Sequence, residues 1–186
     1  MALAYMEYYT YEDYKKWEGD WELIDGVPLA MAPSPVGIHQ ILSFNFAKNL
    51  EEIIYKCEDC FVMIEEDYIV KEDTILKPDV AVVCNEDIYS FIKNTPKLIV
   101  EVISPSTIKR DEKIKFEIYE KEGVEWFFLV YPNILKVKVY KLVNGKYKKV
   151  GDFTKGKMKL QIDECEGEID FDEIFKKIKN YIKRKS

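Results

Sequence analysis

Histidine is almost missing from this sequence: among 186 residues only His39 carries an imidazole. That excludes catalysis by several imidazoles and leaves zinc fingers without their usual ligands. No apolar run approaches the roughly 18 to 20 residues that cross a bilayer. The N-terminus MALAYMEYYTYEDY also lacks a basic leader and a small-residue cleavage site, so a soluble cytoplasmic chain is expected. Glycine and proline are sparse, 8 and 7 residues, which rules out collagen-like and low-complexity classes. Positive charge is not in excess either: 28 Lys and Arg stand against 34 Asp and Glu, a net charge of −6. No global field draws such a chain onto nucleic acid, so any contact of that kind must be local.

What the chain has in quantity is apolar surface. Hydrophobic residues make up 47%, with 13 Tyr, 10 Phe and 3 Trp, ample for a packed core and far from a disordered composition. The length fits one domain, and no repeat, linker or shift in composition divides it, so residues 1–186 are expected to form a single unit. Basic residues do gather at Lys136, Lys138, Lys141, Lys146, Lys148 and Lys149, and again in the C-terminal KKIKNYIKRKS. Such runs read first as solvated faces of a hairpin and a helix. Cys57 and Cys60 form one CxxC pair while Cys84 and Cys165 stand alone in the sequence, so a second knuckle is missing and reduced, structural thiols are expected.

Local signals set out the elements. Thr10 opens a short helix over Tyr11–Glu18, and Asp25-Gly26 marks a tight hairpin turn inside WELIDGVPLAMAP. Beyond Pro35, apolar residues at helical spacing from Ile38 to Ile54 predict a long core helix ending near Lys56. Phe61–Val70 and Val80–Cys84 are β-rich. Lys97–Ile103 reads as a strand buried on both faces, followed by a helix capped at Ser104–Thr107 and stopped by Gly123, then a strand at Glu125–Tyr131. That order is a βαβ unit, whose two strands belong in one sheet. Asn144-Gly145 predicts a hairpin between Val137–Val143 and Lys146–Val150. A strand near Met158–Ile162 and a helix from Asp170 to Arg184 follow. The class is α/β or α+β with a mixed sheet.

Glu101 is the anomaly, a carboxylate inside the apolar strand LIVEVI. Either the strand is half-buried and Glu101 faces water, or the charge is compensated, because an unpaired buried carboxylate costs several kcal/mol. Asp79 opens the neighbouring apolar strand after Pro78. Two carboxylates on adjacent strands can share a hard divalent cation, which prefers oxygen ligands. Asp111, Lys115 and Tyr119 recur every four residues along the next helix, so Lys115 either points at the same place or pairs with Asp111 at the surface.

The ordered set Trp21-Glu22-Leu23-Ile24-Asp25-Gly26, Met31-Ala32-Pro33-Ser34-Pro35, His39, Lys77-Pro78-Asp79-Val80, Val100 to Ser106, Asp111, Lys115, Tyr119 and Gly123-Val124 resembles the Uma family. These are restriction-endonuclease-like domains of the PD-(D/E)XK nuclease superfamily, and the likeness runs from about residue 10 to 140, with the C-terminal hairpin and helix at 133–186 overlapping its end and extending past it. The resemblance implies a mixed sheet flanked by helices. It implies Asp79 and Glu101 as ligands of Mg²⁺ or Mn²⁺, with the Val102 carbonyl as a further ligand. Ile103 stands where the superfamily usually has its lysine, so Lys115 on the following helix takes that role. Glu22 would orient a water, and His39 would contact phosphate or a ligand. The implied activity is endonucleolytic hydrolysis of DNA; a non-catalytic binding or assembly protein with the same fold is the alternative. A two-fold dimer is expected as well, with Tyr5, Tyr8, Tyr9, Tyr11 and Tyr14 as a candidate interface.

Overall fold

A computed structural model describes residues 7–31, 36–104 and 110–185. The expected caps at Pro105–Thr107, the segment Ala32–Pro35 and Tyr5 lie outside the described residues.

The first described element is α1 (Tyr11–Tyr14), shorter than expected because the backbone passes to i+3 bonds, Lys16 N–H to the Asp13 carbonyl and Trp17 N–H to the Tyr14 carbonyl. The Tyr14 hydroxyl lies 2.8 Å from the Asp67 carboxylate and 3.1 Å from the Trp21 carbonyl. The hairpin β1 (Trp21–Ile24) and β2 (Val27–Ala30) follows. Its turn residues Asp25 and Gly26 both take positive φ, as a two-residue turn matching strand twist requires. α2 (Gly37–Ile54) presents Leu42, Phe46, Leu50, Ile53 and Ile54 on one buried face. Next come β3 (Cys60–Ile64), β4 (Tyr68–Lys71), β5 (Thr74–Leu76), β6 (Val80–Cys84) and β7 (Leu98–Val102). A π-helical segment Arg110–Lys115 runs straight into α3 (Phe116–Glu122), which ends on Gly123 in the left-handed conformation. β8 (Trp126–Tyr131), β9 (Lys136–Val143), β10 (Lys146–Phe153), β11 (Lys157–Ile162), β12 (Cys165–Asp170) and α4 (Phe171–Lys185) complete the order.

Six strands form the main sheet in the order β10-β9-β8-β7-β6-β3, in which only β7 and β8 are parallel. A second sheet, β2-β1-β5-β4, carries the N-terminal hairpin, and β11-β12 make a separate hairpin. The mixed sheet and the βαβ unit are as expected. β6 and β7 are buried at every position, the mark of strands covered on both faces. One face packs Leu98, Val100, Val102 and Phe128 against α2 and α4. The other packs Ile99, Ile103 and Phe127 against Tyr119 and Tyr147.

Two sequence expectations need correction. β12 pairs with β11 along its full length, although its sequence CEGEID offers only an alternating pattern broken by glycine and acids. The cysteines are not isolated. Cys57 is joined to Cys165 and Cys60 to Cys84 as disulfides, because antiparallel β3 and β6 set Cys60 directly opposite Cys84 while β12 begins beside the end of α2.

Candidate active site

Antiparallel pairing puts Val80 opposite Val100, and one step outward the same register sets Asp79 against Glu101. Glu101 is 2% exposed, so the solvent-facing reading fails and its charge is compensated from within. Glu101 Oε1 accepts hydrogen bonds from Lys115 Nζ at 2.9 Å and from the Tyr119 hydroxyl at 2.8 Å. The Asp79 carboxylate accepts the Val102 N–H at 2.6 Å and lies 3.3 Å from His39 Nε2.

Lys115 reaches this point from the π-helical segment, a wider winding than an α-helix and one that recurs at functional sites. It is not a surface lysine. Its ammonium lies 2.7 Å from Glu22, 3.8 Å from Asp111 and 3.4 Å from the Lys77 carbonyl, to which it donates. Glu22, on β1, is completely buried and accepts the Lys77 N–H at 3.0 Å. Arg110 Nη1 stands 3.2 Å from the second Glu22 oxygen but off the hydrogen-bonding direction, so it supplies charge without a bond. The hairpin, the β6 entry, β7 and the helical connection thus meet at one place.

Electrostatics follow from burial. Desolvation drives the Glu101 carboxyl well above its ordinary range; Lys115 opposes the rise, and Asp79, Asp111 and Glu22 add to it. For Lys115 desolvation pulls downward, yet Glu101, Glu22, Asp111 and Asp79 outweigh it and keep the ammonium charged. Burial, with Glu101 next, pushes the Tyr119 hydroxyl far up, so it acts as a donor. His39 is pulled down by burial, but its bond to Asp79, the Asp79 charge, Glu65 and the Val102 backbone raise it on balance.

The donor set fits a divalent cation. Glu22, Asp79, Glu101 and Asp111 are four carboxyl groups around two permanent cations, Lys115 and Arg110, so acidic oxygen donors outnumber the bases that could match them. Ligand atoms of His39, Glu65 and Asp79 also lie within 4.8 Å of one another, and His39 Nδ1 is buried without a hydrogen-bond partner.

A family model described as "Putative restriction endonuclease" matches residues 7–166. The chain belongs to the Uma2 family. A crystal structure of a "putative nuclease belonging to DUF820" from Anabaena variabilis is similar with a TM-score of 0.68 and 16% identity, over 90% of this chain and 97% of that one. At that identity the likeness speaks for the fold alone. Among proteins of curated function none matches.

Within this Uma2 fold, the sequence brought Glu22, His39, Asp79, Glu101, Val102 and Lys115 forward, and all six meet at the β6–β7 ends. They form two adjoining groups rather than one. Glu101 sits with Lys115, Glu22 and Tyr119, whereas Asp79 sits with His39 and Glu65. Arg110 and Glu65 were not anticipated; nothing in their sequence surroundings marks them. On the basic hairpin β9–β10, Lys138, Lys141, Lys146 and Lys149 pair with Glu112, Glu125, Glu120 and Asp152, and Lys136 lies over the Tyr131 ring. Among the described residues no helix is long and apolar enough to cross a membrane.

Proposed function

We infer that this Uma2 protein is an endonuclease that hydrolyses DNA phosphodiester bonds with Mg²⁺ or Mn²⁺. The carrying observation is the meeting of Asp79, Glu101 and Lys115 at the ends of β6 and β7. Asp79, Glu101 and the Val102 carbonyl would hold the cation. When bound, the cation supplies Lewis acidity toward a phosphate oxygen and acidifies a water. Lys115 keeps a fixed positive charge beside Glu101 and stabilises charge that develops on the attacked phosphate. Glu22 fixes that ammonium from the opposite side and orients the attacking water. His39, held by Asp79, offers a second contact to phosphate. A two-fold dimer belongs to the same proposal, since cutting both strands suits paired sites.

A non-catalytic binding or assembly protein is the competing reading, and one observation favours it: Lys115 is already engaged by two carboxylates at bonding distance. Supercoiled plasmid incubated with Mg²⁺ or Mn²⁺ decides between them. Nicking by the wild type and none by Asp79→Ala supports the nuclease. Wild type that binds Mn²⁺ but cuts neither supercoiled nor single-stranded DNA supports the scaffold.

A further inference from the structure

At the far end of β6 from Asp79, five residues and roughly 17 Å along the strand, every cysteine of the chain converges. Cys57 follows α2, and Cys60 opens β3 with its N–H bonded to the Cys57 carbonyl at 3.2 Å. Cys84 ends β6 and its Cα lies 4.0 Å from that of Cys60. Cys165 begins β12 with its Cα 6.0 Å from that of Cys57. Asp163, in the turn between β11 and β12, brings a carboxylate oxygen to within 4.8 Å of the Cys60 and Cys84 sulfurs. An open groove of about 670 Å³ passes over this cluster, and Glu58, Asp59, Asp163, Glu164 and Glu166 line it against Lys56, with Lys97 3.7 Å from Asp163, so acids outnumber bases there.

We propose that the reduced chain holds one thiophilic divalent cation of the Zn²⁺ class here, on Cys60, Cys84 and Asp163, with the Cys57 thiol of the CxxC turn as the fourth ligand. A CxxC turn joined to ligands from two other elements is how tetrahedral thiolate sites are assembled. The acidic groove favours a cation entering and disfavours an anionic ligand. Oxidised, the four sulfurs are spent as two disulfides. Two molecules of a dithiol reductant deliver four electrons and four protons, converting both bonds to four thiols, and the incoming ion displaces thiol protons to solvent. The site is separate from the Asp79–Glu101 centre and does not depend on it.

The test uses the full chain, reduced and then titrated anaerobically with Co²⁺ as a spectroscopic stand-in for Zn²⁺. The expected result is a near-ultraviolet thiolate-to-cobalt band saturating at one ion per chain and abolished by added Zn²⁺. Cys60→Ser should remove the band, and Asp163→Asn should weaken binding by about tenfold or more. Asp79→Ala should leave the band unchanged, which separates this site from the proposed nuclease centre. Reduced protein with native circular dichroism and no thiolate band would overturn the proposal. So would a full-strength band in Cys60→Ser.

Discussion

Lys115→Met removes the ammonium while keeping a side chain of similar reach. Lysine 115 is 2% exposed, and the partners it leaves are Glu22 at 0% and Glu101 at 2%. Breaking a buried ion pair from one side strands the remaining charge and costs about 3–5 kcal/mol, a fifth or more of the roughly 5–15 kcal/mol stability of an ordinary domain. Part of that loss returns if Glu101 takes a proton. An acid whose folded pKa is raised binds more protons when folded than when unfolded. Its contribution is therefore fully present below the unfolded carboxyl value and is lost as pH rises through the folded one. Urea unfolding followed by circular dichroism should show a larger deficit for Lys115→Met at pH 8 than at pH 5. Mn²⁺ at about 100 times its dissociation constant should restore roughly 2.7 kcal/mol, because ligand binding to the folded state alone has that worth. A deficit under about 1 kcal/mol, or one equal at both pH values, would refute the argument. The buried position also means that lost activity in a lysine variant must be read beside its stability.

Mn²⁺ binding by isothermal calorimetry should vanish in Asp79→Ala and fall sharply in Glu101→Gln, since each removes an acidic oxygen ligand; unchanged affinity would dissociate these residues from the cation. His39 is the chain's single imidazole, so one proton NMR resonance reports it alone. That signal should titrate above the ordinary histidine value and drop in Asp79→Asn, and stability owed to His39 should be present below about pH 6.5 and lost as pH rises through the folded pKa. Gly26→Ala should cost about 1–3 kcal/mol by thermal melting, because φ is +77° and a Cβ would stand 2.2 Å from the Tyr8 ring. Sedimentation at micromolar concentration should give a dimer, and a monomer would remove the self-association proposal.

Much of this fold is legible because its signals are local. Asp25-Gly26, Asn144-Gly145 and Gly123 each sit at a backbone conformation that their residue types favour, and β6, β7 and β8 announce burial by continuous apolar runs. The site is legible in its ligand types, since a carboxylate inside LIVEVI demands compensation. Its partition is not, because which carboxylate Lys115 reaches depends on how the β1 hairpin docks against the connection after β7. The π winding of Arg110–Lys115 leaves no mark in RDEKIK. Sequence spacing also hides the sulfur pairings: Cys57 and Cys165 meet only after β12 returns to α2, and β12 itself was too polar to announce a strand.

The four segments that build the centre are spread along the chain, with Glu22 near its start and Lys115 well past its middle. On the ribosome, a nascent chain therefore carries Glu22 and Asp79 for some time before β7 and the segment after it emerge. Until Lys115 arrives, Glu101 can be buried in β7 only as an uncompensated charge or with a proton, so the centre is complete only once residue 115 has emerged. Assembly of the centre is in this way a late event of synthesis, and truncated products that end before residue 115 carry the acidic residues without the lysine that completes the set.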